Sequence, residues 1–390
     1  MYDVIIIGAG PAGLMAAIIA SEKNKVLVIE KNPSAGKKLL LTGGGRCNVS
    51  NLKSNRDFLD IVYYNKKYLH SALSKFGPDD IYRYFTSNGV ALKIEKEDQL
   101  FPVSDKANDI LQALLKNTKN VDFQYNETVI DINNEEVKEV ITNRRKYKSK
   151  NVIIATGGVS FPKTGSTGDH LKFAEKLNQP LTSLFPAETS IILKEKNNLM
   201  GTSIETVEVK YMKKRTTGNL MFTHKGLSGS SIMKMSEHIY LNKEKNITID
   251  LLPNYTKEEL LKSIEQYDLE KQLSSYLHTF FTKRFVEYII SRLKMNKKIK
   301  SLHKSEQIKV IQYLKNMSFE VEKVEDIEKA YVTGGGIDLN YIDTTTMQSK
   351  INKGIYFVGE GLDIHGPIGG YNITLALSTG YLAGSSIEEN

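Results

Sequence analysis

Residues 2–13 decide the fold and read Tyr2-Asp-Val-Ile-Ile-Ile-Gly8-Ala-Gly10-Pro-Ala-Gly13. The run at residues 3–7 is short, apolar and rich in β-branched side chains, which predicts a buried parallel strand. Gly8, Gly10 and Gly13 then follow in G-x-G-x-x-G spacing and lead into helix-forming apolar residues. In such a unit the first glycine makes a tight turn, the second lets the main chain approach a pyrophosphate, and the third permits close helix–strand packing.

The next apolar run, residues 25–29, ends at Glu30, 22 residues after Gly8. A carboxylate at that position can accept hydrogen bonds from an adenosine ribose. The helix N-terminus before it offers free N–H groups and a positive dipole end to a pyrophosphate. A lone G-x-G-x-x-G is a weak signal, but strand, glycine turn, helix, strand and acid together predict an adenine-dinucleotide site.

Length and composition limit the class of protein. With 390 residues the chain exceeds the size at which one core stops growing, so more than one domain is expected. Its apolar runs fall far short of the ~20 residues that cross a bilayer, which predicts no membrane partner. The first strand begins at residue 3 and leaves no room for a signal peptide, so we expect a cytoplasmic protein. The single cysteine, Cys47, excludes a disulfide framework and a redox-active cysteine pair.

The hydrophobic patterns change along the chain. Residues 121–132 predict one strand of a small meander, the stretch from about 187 to 252 alternates like half-buried antiparallel strands, and residues 256–315 have helical periodicity. The fold class is therefore α/β, with a nucleotide-binding domain interrupted by a β-rich module that itself carries a helical insert. The predicted division is 1–186 and 332–390 for the first domain, 187–253 and 316–331 for the β-rich module, and 254–315 for the helical insert.

Four further glycine clusters, at residues 42–48, 155–158, 333–336 and 369–372, are spread over the chain. Glycines let a ligand approach the main chain without a Cβ in the way, so this distribution suits a long ligand contacted at many points. FAD fits better than NAD, because a simple NAD dehydrogenase needs none of the later elements. Residues 153–158 are similar to the second glycine fingerprint of flavoproteins. Residues 355–363 are similar to their C-terminal signature of a strand followed by an acid. The helix that starts near Gly369 can stabilise the negative charge of a reduced flavin.

Longer motifs make the match specific. They are Thr42-Gly-Gly-Gly-Arg-Cys-Asn48, Phe101-Pro-Val-Ser, Ala155-Thr-Gly-Gly with Thr164-Gly-Ser-Thr-Gly-Asp169, Phe222-Thr-His-Lys-Gly-Leu-Ser-Gly229, and Gly359-Glu-Gly-Leu-Asp with Gly-Gly-Tyr-Asn372. Together they resemble the BaiN/RdsA-type bacterial flavoproteins, also called YhiN-like FAD-dependent oxidoreductases, over nearly the whole length. Two departures, Ser230 and His170, stand where that family often has proline and glycine, and both are interpreted as local turn changes.

The resemblance implies a glutathione-reductase-like, Rossmann-like FAD-binding domain with an inserted β-barrel-like module. It also implies an FAD-dependent oxidoreductase that reduces a carbon–carbon double bond conjugated to a carbonyl, with NAD(P)H as a transient co-substrate. Family members have been assigned to dihydrouridine formation in 23S rRNA, to bile-acid enone reduction and to aminoacetone oxidation. The resemblance therefore defines cofactor and reaction type better than substrate.

The residues expected to bind FAD come from all of these motifs. They are Gly8, Gly10, Pro11, Ala12, Gly13, Glu30, Lys31, Lys38, Gly44, Arg46, Val129, Thr156, Gly157, Gly359, Glu360, Asp363, Gly370, Tyr371, Asn372 and Ile373.

Two residues are candidates for the proton that must reach the substrate α-carbon. The Cys47 thiol can supply it, but a small buried cysteine that packs under the cofactor is an equally good interpretation. His365 lies between Asp363 and the Gly-Gly-Tyr-Asn turn, which favours it over His224 as the alternative acid. Arg46 can contact FAD, orient an anionic substrate or be structural. The histidines are scattered without ligand spacing, so no metal is expected.

A net charge of +8 and a pI near 9.0 favour polyanionic partners, although a lysine-rich solvated surface explains them equally well. Basic stretches lie at residues 143–150, 210–215 and 294–300, and Tyr211, Phe280 and Phe281 are candidates for base stacking. The leading hypothesis is reduction of a uridine C5=C6 bond in ribosomal RNA, bound through the basic insert. A small-molecule enone reductase, an amine oxidase and an FAD-containing RNA-binding factor with a structural flavin remain alternatives.

Overall fold

A computed structural model describes residues 1–62, 65–242 and 244–388. The chain divides into two compact units, residues 1–185 with 327–390, and residues 186–326. These divisions lie within a few residues of the expected boundaries, and residues 327–331, expected in the inserted module, lie in the first unit. The division into three domains stays a prediction.

Nine strands in the described part of the first unit form one large sheet. In chain order they are Tyr2–Ile7, Val26–Glu30, Val121–Tyr125, Val129–Asn133, Lys138–Thr142, Lys146–Ile154, Ile342–Asp343, Gln348–Ser349 and Ile355–Phe357. The strand Tyr2–Ile7 lies at the centre, parallel to Val26–Glu30 on one side and to Lys146–Ile154 on the other. Because both of its neighbours are strands and both faces are covered, its apolar residues run without interruption.

The region predicted as one strand, residues 121–132, contains two strands. Val121–Tyr125 runs parallel to Val26–Glu30, whereas Val129–Asn133 pairs antiparallel with Lys138–Thr142. The chain turns at Asn126, whose φ of 55° is left-handed. Asparagine tolerates that conformation better than most residues, and no alternation of apolar residues signals it.

Helices cover the sheet of the first unit. Their bounds are Pro11–Ala20, Asn55–Ile61, His70–Lys75, Pro78–Ser87, Ala107–Lys116, Asp169–Lys176 and Tyr371–Ser385. The first helix packs against the last at a very short distance, because a Cβ on Gly380 would lie 2.2 Å from the Ala12 carbonyl oxygen. Shorter strands of the same unit are Ser50–Asn51, Leu92–Ile94, Gln99–Pro102 and Val332–Gly334, and Phe185–Ala187 spans the boundary between the units.

The second unit contains a closed six-stranded barrel. Its strands are Ile191–Leu193, Ser203–Tyr211, Lys214–Phe222, Gly226–Ser228, Asn246–Asp250 and Met317–Val324. Val207, Val209 and Tyr211 alternate inward with polar neighbours, as the half-buried pattern predicts. The fold-class prediction of an α/β nucleotide-binding fold with an inserted barrel is therefore confirmed.

Five helices accompany the barrel in the described part of the second unit. They are Ser230–Asn242, Lys257–Glu265, Leu273–Leu277, Lys283–Leu293 and Lys304–Lys315. Thr256 begins the second of them with a capping box, in which its hydroxyl accepts from the Glu259 N–H and the Glu259 carboxylate accepts from the Thr256 N–H. Across the described ranges of both units, none of the helices is long and apolar enough to cross a membrane.

Candidate functional site

The first unit contains a cavity of about 600 Å³. That volume lies within the roughly 300–1,000 Å³ of small-molecule sites. Segments far apart in the chain line it, as expected for a long ligand. They lie within residues 7–12, 29–48, 99–101, 127–129, 155–173, 331–332, 358–360 and 368–376.

The three glycines of the first turn have different surroundings. A Cβ on Gly8 would lie 2.5 Å from the Ala155 carbonyl oxygen, and one on Gly13 would lie 2.0 Å from the Gly8 carbonyl oxygen. Both glycines are therefore required by contacts within the protein. A Cβ on Gly10, by contrast, would have no atom within 4 Å. The space beside Gly10 belongs to the cavity, which is what the approach of a pyrophosphate to the main chain requires.

Glu30 is buried at the end of the second strand. Its carboxylate accepts hydrogen bonds from the Ala9 N–H at 2.8 Å, from the Asn32 N–H at 2.8 Å and from the Asn32 side-chain amide at 2.7 Å. The carboxylate therefore ties the glycine turn to the second strand and is held in one orientation at the cavity wall.

An ion pair between Lys38 and Glu360 lies at the cavity wall. The two charged groups are 2.5 Å apart, and Glu360 also accepts from the Ser160 hydroxyl at 2.8 Å and the Thr333 N–H at 3.1 Å. Burial opposes ionisation of Glu360, but Lys38 and these hydrogen bonds outweigh it and hold its pKa below the usual value. A nearby second pair joins Lys31 to Asp169 at 2.7 Å.

The last helix begins at the cavity. Gly370 precedes it with a φ of 92°, and a Cβ there would lie 2.3 Å from the Ser50 carbonyl oxygen, so only glycine fits. Asn372 closes the preceding loop, because its side chain accepts from the Gly366 N–H and donates to the Gly366 carbonyl. The free N–H groups of this helix end offer a positive dipole to a ligand oxygen.

The turn at residues 42–48 sends three consecutive side chains in different directions. Asn48 lines the cavity, whereas Arg46 and Cys47 do not. Arg46 pairs with Glu95 and Asp105, and its guanidinium lies 4.2 Å from the centre of the Phe101 ring. Arg46 therefore holds Phe101, which lines the cavity, instead of lining it directly.

Cys47 is fully buried, and burial raises the pKa of its thiol to about 12. Its φ of 61° and its hydrogen bond from N–H to the Thr42 carbonyl fit a residue that shapes the turn. A thiol that keeps its proton at neutral pH and does not line the cavity is poorly suited to proton delivery. The geometry favours the packing interpretation of Cys47.

His365 is buried outside the cavity wall, with its ring edge-to-face against Phe185 at 5.7 Å. Asp363 does not line the cavity either. The Asn65 amide donates to its carbonyl oxygen at 2.6 Å and to its carboxylate at 3.1 Å, and burial raises its pKa. Of the two acids expected to bind the cofactor in this region, Glu360 is the one at the cavity.

Most of the expected cofactor residues line the cavity. These are Gly8, Gly10, Pro11, Ala12, Glu30, Lys31, Lys38, Gly44, Val129, Thr156, Gly157, Gly359, Glu360, Gly370, Asn372 and Ile373. Gly13, Arg46, Asp363 and Tyr371 do not. Tyr371 points into the core instead, where its ring lies 4.9 Å from that of Phe58.

Several residues at or near the cavity were not expected from the sequence. Asn48 ends a motif that the sequence does show, so its position was a usable signal. Glu127 lines the cavity as a fully buried carboxylate that accepts from Thr142 at 2.6 Å, and no local pattern indicates it. His170, interpreted as a turn change, is buried against Gly361, and burial lowers its pKa to about 4.

The cavity fits an adenine dinucleotide. A main-chain approach is open at Gly10, and two hydrogen-bond acceptors on the wall, Thr156 Oγ1 and Asn48 Oδ1, are buried without a partner among the described residues. Buried polar atoms normally have partners, so these two acceptors on the wall are consistent with a ligand that donates hydrogen bonds to them. No group of described His, Cys, Asp and Glu residues is arranged to hold a metal ion.

Fold, site and comparisons together define an FAD-dependent oxidoreductase built on a Rossmann-type domain. The chain belongs to the family described as HI0933-like protein Rossmann domain, which matches residues 2–386. The resemblance inferred from the motifs is thereby confirmed.

Similar curated proteins cover the full length. The ribosomal RNA dihydrouridine synthase of Haemophilus influenzae is 30% identical over 98% of both chains. The 3-dehydro-bile acid delta(4,6)-reductase of Clostridium scindens is 27% identical over 100% of both. Among solved structures, a 3-ketosteroid-delta4-(5alpha)-dehydrogenase from Rhodococcus jostii has a TM-score of 0.52 at 12% identity, over 99% of this chain and 96% of that one, which shows the shared fold.

Proposed function

We propose that this protein uses NAD(P)H to reduce the C5=C6 bond of a uridine in 23S ribosomal RNA to dihydrouridine. The observation that carries the proposal is the full-length similarity to two proteins named ribosomal RNA dihydrouridine synthase, at 30% and 29% identity. A ribosomal substrate would place the enzyme in the cytoplasm.

We propose further that the lining residues named above bind FAD, which when bound supplies hydride transfer to a conjugated double bond. Glu30 orients the adenosine end, the open main chain at Gly10 takes the pyrophosphate, and the start of the last helix faces the flavin end. Lys38 keeps Glu360 ionised at the part of the wall between the adenosine end and the flavin end. Arg46 and Tyr371 support the cavity wall without lining it. His365 remains the candidate proton donor suggested by its place in the sequence.

The wall at the flavin end suits an uncharged planar substrate. Leu41 and Ile368 line the cavity and are 58% and 41% exposed, so apolar surface is available there. Arg46, the cation expected to orient an anionic substrate, is neutralised by Glu95 and Asp105. A pyrimidine base or a small enone therefore fits this end better than a carboxylate does.

Dihydrouridine mapping in ribosomal RNA tests the proposal directly. A strain that lacks the gene should lose dihydrouridine at one or more positions of 23S rRNA, and a plasmid copy should restore it. A Gly10→Ala copy, designed to keep the fold but not the cofactor, is the matched control and should not restore it. An unchanged dihydrouridine map in the deletion strain would contradict the proposal.

The bile-acid relative supports a second candidate, a small-molecule enone reductase. Anaerobic NADPH should bleach the flavin of either reductase, and addition of the true substrate should restore the colour. Rapid oxygen consumption with an amine would indicate an oxidase instead. A flavin that NADPH and NADH both leave oxidised would indicate a structural cofactor.

A hairpin of the second unit offers a basic surface for RNA. Lys213 and Lys214 lie exposed at the hairpin between strands Ser203–Tyr211 and Lys214–Phe222, and neither is paired with an acid among the described residues. The stacking hypothesis for Tyr211 and Phe281 is wrong, because both side chains are buried. Tyr211 bonds instead to the main chain of Glu244.

Salt dependence of RNA binding separates this hairpin from an ordinary charged surface. Replacing Lys213, Lys214 and Arg215 by alanine should reduce the log–log salt slope by roughly 1.4 to 1.8, because each phosphate contact contributes about 0.7–0.9 and Arg215 is already paired with Glu208. The matched control replaces Lys297, Lys298 and Lys300, which are paired with Glu306 or Glu270. Equal slopes for the two triple variants would remove the hairpin from the proposed RNA surface.

A further inference from the structure

Asn48 lines the cavity and carries a buried hydrogen-bond acceptor, its side-chain Oδ1. The residue is 8% exposed, lines the cavity, and its Oδ1 atom receives no hydrogen bond from any described residue. A buried amide oxygen without a partner is costly, and native proteins seldom keep one without a reason. The FAD residues suggested by the sequence did not include Asn48, although it ends the motif at residues 42–48.

The main chain on both sides of Asn48 is held. The Cys47 N–H donates to the Thr42 carbonyl, and the Val49 N–H donates to the Leu100 carbonyl, both at 2.9 Å. The turn and the small sheet therefore fix where the side chain starts. These bonds hold the main chain on both sides of Asn48 at the cavity wall.

The amide oxygen lies beside the N-terminus of the last helix. A Cβ on Gly370 would lie 2.8 Å from Asn48 Oδ1, which places this acceptor next to the residue that precedes the helix. The helix Tyr371–Ser385 is 15 residues long, so its first N–H groups have no partners within the helix and its dipole is well developed. An acceptor and a set of donors thus stand side by side at one end of the cavity.

A ligand that bonds to both the Asn48 acceptor and the N–H donors of the helix needs an N–H next to a carbonyl oxygen. An imide edge has this pattern, since its N–H lies between two carbonyl groups. The pyrimidine ring of a flavin carries such an edge around N3, and uracil carries the same edge. We propose that Asn48 Oδ1 accepts the hydrogen bond of the flavin N3–H, while the start of the last helix faces the adjacent carbonyl oxygen.

This inference rests on FAD as the cofactor and is independent of the RNA substrate. It makes Asn48 a residue that distinguishes a flavin with a free N3–H from one without it.

Binding of FAD and of 3-methyl-FAD to the apoprotein tests the inference without any turnover. Quenching of flavin fluorescence measures both dissociation constants. The unaltered protein should bind 3-methyl-FAD at least roughly 10-fold more weakly than FAD, the equivalent of one lost buried hydrogen bond. Asn48→Ala should bind FAD roughly 10-fold more weakly than the unaltered protein and should no longer distinguish the two flavins.

Asn24→Ala is the matched control. Asn24 is also 8% exposed with an unpartnered Oδ1, but it does not line the cavity, so this variant should keep the full discrimination. If Asn48→Ala fails to fold, Asn48→Asp retains an acceptor and should still prefer FAD over its 3-methyl analogue. Equal affinity of the unaltered protein for the two flavins would overturn the inference.

A separate experiment tests whether Asn48 bonds to the uracil of a substrate instead of the flavin. Uridine and N3-methyluridine are compared as inhibitors of NADPH-dependent flavin bleaching. If Asn48→Ala abolished the preference for uridine and left the preference for FAD intact, the acceptor would belong to the substrate and the flavin assignment would be wrong. An apoprotein that bound neither flavin would instead refute the cofactor assignment itself.

Discussion

Two glycine-rich turns border the same cavity, and they present different parts of the chain to it. The turn at residues 8–13 presents main chain, since the space at Gly10 is open while Gly8 and Gly13 pack against other backbone atoms. The turn at residues 42–48 instead presents a side chain, Asn48, after directing Arg46 outward and Cys47 inward. The spacing of the glycines explains the conformation of the first turn, whereas the conformation of the second turn depends on contacts with other parts of the chain.

The difference has a physical origin. In the first turn, Gly8 packs against the Ala155 carbonyl oxygen and Gly13 packs against the Gly8 carbonyl oxygen, so local geometry dictates the spacing. In the second, Gly43, Gly44 and Gly45 all have positive φ and the chain can turn in many ways. The acids at residues 95 and 105 and the neighbouring strand at residues 99–102 then select one of them.

The largest effect is expected in the first turn. Gly13→Ala places a Cβ 2.0 Å from the Gly8 carbonyl oxygen, so we expect the apoprotein to lose several kcal/mol of unfolding free energy, about 2–4 kcal/mol, or to fail to fold. Gly10→Ala should leave the apoprotein stability within about 0.5 kcal/mol, because no atom lies within 4 Å and the φ of Gly10 is −79°. Urea unfolding of both apoproteins measures this. Similar losses of unfolding free energy in the two variants would show that Gly10 and Gly13 do not differ in their packing as described.

A smaller effect is expected at Lys38, which precedes the second turn by four residues. Glu360 has a lowered pKa in the folded protein, so its ion pair stabilises above the unfolded pKa of about 4.5 and is lost as pH falls through the folded value. Lys38→Met should cost about 1–3 kcal/mol at pH 7, and this deficit should shrink below pH 4.

Lys37→Met is the matched control for that ion pair. Lys37 donates to the neutral side chain of Asn32 at 3.1 Å, so its replacement should give a deficit that does not depend on pH. Urea unfolding between pH 3 and pH 8 compares the two variants. A deficit in Lys38→Met that grew on acidification would have the wrong sign for this account.

The smallest effect is expected at Cys47. Burial raises its thiol pKa to about 12, so the native protein should not react with a disulfide reagent at pH 8, while the unfolded protein should release one equivalent. Cys47→Ala should keep NADPH-dependent turnover within about twofold and cost about 1 kcal/mol of stability from the small cavity that it leaves. Loss of turnover with the flavin still bound would restore the thiol as proton donor.

Much of the first unit was predictable because its signals are local. The run of β-branched residues before Gly8 predicts a strand buried on both faces, and the acid at Glu30 marks the end of the next one. The break within residues 121–132 was not predictable, since it depends on a left-handed Asn126 and on which neighbour each half pairs with. The close packing of Gly380 against the first helix was equally invisible, because neither helix confines its apolar residues to one face.

The sequence by itself determined the cofactor class, the parallel sheet and the inserted β-rich module, because glycine spacing and hydrophobic period depend on neighbours along the chain. Tertiary structure alone decided which candidates reach the cavity. Asp363 and Glu360 are three residues apart and both acidic, yet only Glu360 meets Lys38 at the wall. The direction of a loop side chain depends on partners that are distant in sequence, and no pattern near Cys47 or Asn48 states which of them is buried in the core and which faces the ligand.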